Sequence, residues 1–199
     1  ALGGLAAVII SMPPVSEAWA AGGLRVIAAL LVATFAVVTN ELIPTGLLPA
    51  IASDLAVDIP TAGLLITGYA IGVAIAGPVL ALLTSGVPRK QLLLVIMAVL
   101  VLASILSATA TSYWLLLGGR LLIAAGHGLF FGVAMVLASQ LAPPGRQATA
   151  LSLVIAGVNA ATILGVPLGT AIGNAAGWRT TFWVIVGVAV VAAIVLSLL

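Results

Sequence analysis

Charged side chains are scarce in this sequence, and their scarcity excludes most classes of protein. Only 6 Lys or Arg and 4 Asp or Glu occur among 199 residues, whereas about 25% of the residues in soluble domains are charged. A soluble protein of this size could not cover its surface with so few charges, and disordered chains are polar. The 64% of apolar residues and the 22 glycines therefore predict an integral membrane protein.

Cysteine is absent, which excludes a disulfide framework, a thiolate metal site and a cysteine nucleophile. The sequence also has no His and carboxylate cluster that would hold a metal, and no phosphate-binding GxxxxGK[S/T] loop. We therefore predict no metal, no cofactor and no use of ATP. The net charge of +2 comes from so few groups that it does not indicate a nucleic-acid partner.

Long stretches without charge predict membrane-spanning helices. A helical span needs roughly 20 apolar residues, and the stretches do not alternate polar with apolar residues as barrel strands do. The sequence therefore predicts an all-α membrane protein with six transmembrane helices. Their predicted positions are about 26–48, 62–83, 92–110, 113–137, 148–172 and 182–199.

The two ends of the sequence do not match a complete membrane protein. Residues 1–23 include an apolar run too short to span a bilayer, without the basic region of a secretory signal. We interpret them as an N-terminal extension outside the fold, and residues 24–199 as the six-helix unit. The last predicted helix reaches Leu199 without a polar flank, so we expect the chain to be truncated at its C-terminus.

The basic residues predict the orientation in the membrane. Cytoplasmic loops carry an excess of Lys and Arg. With the N-terminus in the cytoplasm, Arg25, Arg89, Lys90 and Arg146 all fall on the cytoplasmic side, and Arg179 falls outside. We therefore predict a multi-pass protein of the bacterial inner-membrane type with a cytoplasmic N-terminus.

Glu41 is the acidic residue that lies deep in a predicted span, directly after Asn40. A central acidic residue costs about 2.5–3.5 kcal/mol on insertion, so the side chain should face the protein interior. A buried carboxylate either binds a cation or carries a proton. The alternative is a structural ion pair with Arg120.

Three further polar residues are candidates for an interior site. Arg120 and His127 are seven positions apart and share one face of the fourth helix. Asn159 lies on the fifth helix and could bind a substrate or another helix. A membrane hydrolase that uses Glu41 and His127 remains an alternative, although no motif supplies a nucleophile, and we predict no catalytic residue.

Small residues recur at every fourth position of the fifth helix and form a continuous ridge. Such a ridge lets another helix approach closely, and Pro167 interrupts the backbone hydrogen bonds within it. A bent, glycine-lined helix suits a joint between moving parts, while plain helix packing is the alternative. The ridge comprises Gly157, Ala161, Gly165, Gly169, Gly173 and Gly177.

These residues resemble the major facilitator superfamily, in particular its drug:proton antiporter branch, which includes sugar and chloramphenicol exporters. The resemblance covers residues 24–199. Residues 39–49 read TNELIPTGLLP, similar to that branch's acidic first helix. Arg120 with the glycines after it resembles the superfamily's helix 4 motif, and residues 157–173 resemble its helix 5 antiporter motif. Of the superfamily's motif in the loop between helices 2 and 3, only Arg89 and Lys90 at the basic end are present.

The resemblance implies the N-terminal half of a twelve-helix transporter with a central cavity, lined by helices 1 and 4, that opens alternately to each side. It implies proton-coupled efflux of a small molecule such as a drug or a sugar, and a role in drug resistance. Glu41 would exchange the proton, and Arg120 would set the pKa of Glu41 or hold an anion. Asn40, His127 and Asn159 would line the cavity. The expected partners are the substrate, protons, the bilayer and a C-terminal half or second copy. The alternative is a non-transporting membrane protein whose polar residues only join helices.

Overall fold

The computed structural model of this chain describes residues 23–198. That part of the chain is helical and contains no strand, and six of its helices are long and apolar enough to cross a membrane. The predicted six-helix, all-α fold is confirmed. The helices are α1 Leu24–Asp54, α2 Ile59–Leu83, α3 Arg89–Ala108, α4 Tyr113–Leu141, α5 Gln147–Ala176 and α6 Trp178–Ser197.

The helices differ from the predicted spans mainly at their ends. Helix α1 continues to Asp54, past the predicted end near residue 48, because Pro49 is accommodated within the helix. Helix α6 begins at Trp178, before the predicted start at 182, directly after Gly177 turns the chain with a φ of 89°. Residues 1–22 of the predicted extension lie outside the described residues.

Short polar residues begin two of the helices. The Asp58 carboxylate accepts a hydrogen bond from the Thr61 N–H at 3.0 Å, which satisfies a free donor at the start of α2. Hydrogen bonding to the Thr61 side chain, and then to its backbone N–H, lowers the pKa of Asp58 from its ordinary value. The Ser112 hydroxyl accepts a bond from the Leu115 N–H at 3.4 Å at the start of α4. These two caps fix where α2 begins after α1 and where α4 begins after α3.

Helix α5 contains a π-helical turn, Ala161–Gly165, between the α-helical segments Gln147–Ala160 and Val166–Ala176. The Val166 N–H bonds the Ala161 carbonyl, one residue further back than in an α-helix. Pro167 follows directly and has no N–H to continue the α-helical pattern. Single π turns of this kind recur at functional sites.

Helix α1 is central and contacts each of the other five helices. Two separate apolar clusters form the core. One contains residues of α1 up to Val37 and of α4 from Ile123 onward. The other contains residues of α1 from Ile43 and of α4 up to Leu116. A layer of polar residues therefore lies between the clusters, midway along α1 and α4.

The end of the bundle at which α1 ends and α6 begins is held by an ion pair. Arg179 Nη1 lies 2.7 Å from Asp54 Oδ2, and the Arg179 guanidinium also donates to the Ala110 carbonyl at 2.6 Å. The indole of Trp178 donates to Asp54 at 3.2 Å and stacks under the guanidinium. Arg179 is the basic loop residue predicted to lie outside the cytoplasm. Its charge is compensated by that of Asp54 at the same end of the bundle.

The orientation remains a prediction, and cysteine labelling tests it. Because the sequence has no cysteine, Ser85→Cys and Ser53→Cys each introduce a single thiol at an exposed position, in the α2–α3 connection and near the end of α1 respectively. In intact cells an impermeant thiol reagent should label position 53 and spare position 85. Labelling of position 85 alone would reverse the topology.

Candidate functional site

The polar layer between the two apolar clusters is built from four helices. Helix α1 supplies Asn40 and Glu41, helix α4 supplies Arg120 and His127, and helix α2 supplies Tyr69. Helix α3 adds Ser104. Apart from Glu41, every one of these side chains is buried. We call these six residues the polar layer.

Among the charged residues that the structure describes, Arg120 is the most deeply buried, with 1% of its surface exposed. Its guanidinium donates to backbone carbonyls of α1: Nη1 to Asn40 at 2.7 Å and Nη2 to Glu41 at 2.9 Å. Nη1 also lies 3.2 Å from the Asn40 side-chain oxygen. The guanidinium therefore joins α4 to the backbone of α1, and its hydrogen bonds go to neutral oxygens instead of the Glu41 carboxylate.

Pro44 explains why a carbonyl of α1 can accept these bonds. In an unbroken helix the N–H of residue 44 would bond the carbonyl of Asn40, but proline has no N–H. A free carbonyl in a membrane interior is unfavourable unless another donor reaches it. Arg120 supplies that donor, so the carbonyl left free in α1 and the buried guanidinium of α4 satisfy each other.

Tyr69 links Arg120 to His127. The Arg120 guanidinium carbon lies 4.1 Å from the centre of the Tyr69 ring, a favourable contact for a buried cation. The Tyr69 hydroxyl lies 2.6 Å from His127 Nδ1. The Phe131 ring lies 5.3 Å from the imidazole between ring centres and is tilted against it by 38°. The ring of His127 is therefore in contact with two aromatic rings.

Glu41 is the accessible member of the polar layer. Its carboxylate oxygen Oε2 lies 3.7 Å from His127 Nδ1, and 36% of its side chain is exposed. The neighbouring Asn40 points inward and donates to the Ser104 hydroxyl at 2.8 Å. The layer thus places a partly exposed carboxylate next to an imidazole.

The structure brings four of the predicted site residues together and leaves three apart. Asn40, Glu41, Arg120 and His127 form one layer, as described above. Asn159 lies on the exposed face of α5 and makes no hydrogen bond to the layer. Arg89 and Lys90 lie at one end of the bundle, where Lys90 donates to the Ser197 carbonyl in the last turn of α6 at 3.2 Å.

The glycine ridge of α5 packs directly on α1, except for its predicted last member Gly177, which lies beyond the end of α5 and in open space. An added Cβ at Gly157 would lie 2.6 Å from the Leu31 carbonyl, and one at Gly173 would lie 2.6 Å from Leu47. At Gly165 the added atom would overlap the hydroxyl of Thr39, and at Gly169 it would overlap Ile43. The ridge, with Pro167 on its exposed side, is therefore the surface on which α1 and α5 approach most closely.

Sequence reasoning missed Tyr69 and Ser104 as members of the site. One sequence signal could have predicted that the Asn40 carbonyl accepts a bond from Arg120. Pro44 lies four positions after Asn40 and has no N–H, which leaves the carbonyl of residue 40 free. No local signal identifies Tyr69 or Ser104, since tyrosine and serine also occur in helix interfaces without a functional role.

The fold and the polar layer define the class of protein. The six apolar helices contain the buried guanidinium of Arg120 and the partly exposed carboxylate of Glu41. Residues 23–198 hold no group of His, Cys, Asp and Glu suited to a metal. These features are those of a multi-pass membrane protein with ionisable side chains in its interior. The chain belongs to the Major Facilitator Superfamily, whose family model matches residues 30–199. That superfamily consists of transporters, not enzymes.

Several bacterial relatives are similar in sequence. The uncharacterized MFS-type transporter YtbD of Bacillus subtilis is 43% identical over 164 residues, which cover 82% of this chain and 41% of the relative. The inner membrane transport protein YdhP of Escherichia coli K12 is 40% identical over 163 residues, 82% of this chain and 42% of the relative. A probable sugar efflux transporter of Helicobacter pylori is 40% identical over 158 residues, which cover 79% of this chain and 40% of the relative.

Solved structures show the same fold. A bacterial homologue of the human lysosomal transporter Spinster, in an inward-facing and unoccupied conformation, superposes with a TM-score of 0.78 at 16% identity. The match covers 93% of this chain and 43% of that one. A peptide transporter superposes with a TM-score of 0.76 at 15% identity, and the match covers 88% of this chain and 37% of that one. This chain thus spans less than half the length of the relatives that it matches.

Proposed function

We propose that this chain forms one half of a proton-coupled transporter that exports a small molecule, such as a drug or a sugar, by alternating access. The observation that carries the proposal is the exposed Glu41 carboxylate, which lies 3.7 Å from His127 and midway along the apolar helix α1. Ionisable residues at that depth are costly and usually serve transport or proton transfer. The name of the Helicobacter relative, a probable sugar efflux transporter, supports export of a sugar.

The arrangement of Arg120 supports a carboxylate that changes its protonation. An acid locked to a cation in every conformation could not release and accept protons during a cycle. In this structure the guanidinium is occupied by carbonyls of α1 and by the Tyr69 ring. Glu41 therefore lies within the field of a cation to which it is not hydrogen-bonded, which leaves its proton free to exchange.

A second six-helix unit would complete the cavity. The relatives are more than twice as long as the matched segment, and α2 and α5 carry many exposed large apolar residues. The second unit would be a C-terminal half or another copy of this chain. Movement of the second unit against this one would open the cavity to each side in turn.

Transport into inside-out membrane vesicles tests this proposal. Vesicles that contain the complete protein would be loaded with a pH gradient, acid inside, and given radiolabelled pentoses, hexoses or chloramphenicol. We expect at least one of these probes to accumulate inside the vesicles, and nigericin, which dissipates the pH gradient, to abolish the accumulation. Accumulation that survives nigericin would contradict proton coupling, and proton-driven loss from the vesicles would contradict antiport.

A further inference from the structure

His127 Nδ1 has two competing neighbours. The Tyr69 hydroxyl lies 2.6 Å from it, and Glu41 Oε2 lies 3.7 Å from it. A ring nitrogen either carries a proton and donates, or lacks one and accepts. In the observed arrangement the short contact goes to tyrosine, and the carboxylate lies just beyond hydrogen-bond distance. A shift of about 1 Å would exchange the two partners.

The Tyr69 ring is held against the Arg120 guanidinium, 4.1 Å away, and that guanidinium is bound to the backbone of α1. The position of the hydroxyl is therefore tied to the packing of α2, α4 and α1. Helices α2 and α4 are in close contact, since an added Cβ at Gly72 would lie 2.9 Å from Ala124 and one at Gly77 would lie 3.1 Å from the Gly128 carbonyl. A small movement of α2 against α4 would carry the hydroxyl off the imidazole.

The other surroundings of His127 offer no competing charge. The side toward α3 is apolar, formed by Ile96 and Leu100. Helix α5 carries no ionisable residue, and Arg179 at the start of α6 is paired with Asp54 at the end of the bundle. In residues 23–198, the ionisable groups around this histidine are Glu41 from α1, Tyr69 from α2 and Arg120 from α4.

We propose that Tyr69 is a positioning residue that selects the partner of His127 Nδ1 and thereby controls where the coupling proton resides. While the tyrosine hydroxyl donates to Nδ1, Glu41 has no donor there and holds the proton itself. When the hydroxyl leaves, the glutamate proton passes to Nδ1, the proton on Nε2 of the imidazole is released to water, and the Nδ1–H then donates to the ionised Glu41 carboxylate. This inference rests on the proposed function, in which Glu41 exchanges the proton.

Tyr69→Phe tests the inference, because it removes the hydroxyl and keeps the ring on Arg120. Infrared titration of the purified complete protein measures protonated carboxyl groups with the proton as the only probe, and the band missing in Glu41→Gln identifies Glu41. We expect the midpoint of that band to fall by about one pH unit, because Nδ1 becomes free to donate to the ionised carboxylate. Tyr113→Phe is the matched control: its hydroxyl bonds the Thr61 carbonyl at 2.9 Å, away from the layer, and the midpoint should not change.

A histidine variant separates this effect from a general disturbance of the fold. In a His127→Gln background, Tyr69→Phe should leave the midpoint unchanged, since the hydroxyl then has no imidazole to occupy. An unchanged midpoint in Tyr69→Phe alone, or an equal shift with and without His127, would overturn the inference. Nitrogen NMR of His127 provides a second readout, in which Nδ1 should gain a proton in Tyr69→Phe.

Failure of the inference and failure of the proposed function give different results. If Glu41→Gln keeps wild-type efflux but Tyr69→Phe shifts the Glu41 midpoint, the hydrogen-bond exchange exists and proton coupling through Glu41 does not. If Glu41→Gln loses coupled efflux and Tyr69→Phe leaves the midpoint unchanged, the proposed function stands and the role of Tyr69 is wrong.

Discussion

Replacement of Glu41 by Gln should abolish efflux against a gradient while substrate binding stays within about twofold. The neutral amide has nearly the shape of the protonated acid, so the cavity should still accept its substrate, but it cannot release a proton. The carboxylate is 36% exposed and lies next to His127. It is therefore placed to exchange protons with water, and no other acid lies in the polar layer of residues 23–198.

Two transport assays in membrane vesicles distinguish these effects. Efflux driven by a pH gradient should disappear in Glu41→Gln, while exchange of labelled for unlabelled substrate at equal pH should continue. Asp58→Asn is the matched control, because it makes the same acid-to-amide change at an exposed helix start where asparagine caps equally well. Gradient-driven efflux at the wild-type rate in Glu41→Gln would exclude Glu41 from coupling and leave His127 as the ordinary titrating group of the layer.

Substitution of Gly165 by Leu should abolish transport while the protein still inserts into the membrane. Even a Cβ at this position would overlap the Thr39 hydroxyl, and it would lie 3.1 Å from the Thr39 methyl group. Overpacking of this kind costs about 1–3 kcal/mol, and it would act at the contact between α1, which carries Glu41, and α5. Gly187→Leu is the control, since nothing lies within 4 Å of a Cβ on that α6 glycine.

A smaller substitution identifies the contact responsible. Gly165→Ala should reduce efflux, and Thr39→Ala in the same protein should restore most of it, because the colliding hydroxyl and methyl groups are removed. The same rescue should fail for Gly157→Ala with Thr34→Ala, because the Leu31 backbone carbonyl remains 2.6 Å from the added atom. Transport at the wild-type level in Gly165→Leu would show that close approach of α1 and α5 is not needed for the cycle.

The membrane class, the six helices and the ridge of α5 followed from the sequence alone. The length of a charge-free stretch and the spacing of small residues are properties of a single helix, and a bilayer of fixed thickness acts on each helix separately. For the same reason Glu41, Arg120 and His127 could be selected as interior residues from their place in apolar spans. Helix ends were less well predicted, as at Pro49, because a proline commonly ends a helix but lies within α1 here.

The partners of those residues were decided by tertiary structure. The sequence left open an ion pair between Glu41 and Arg120, whereas the guanidinium binds carbonyls of Asn40 and Glu41. The contact between Tyr69 and His127 joins residues 58 positions apart. In a membrane interior a polar group bonds whichever donor or acceptor the packing brings within about 3 Å, and that distance depends on how closely the helices approach, which no pattern along one helix determines.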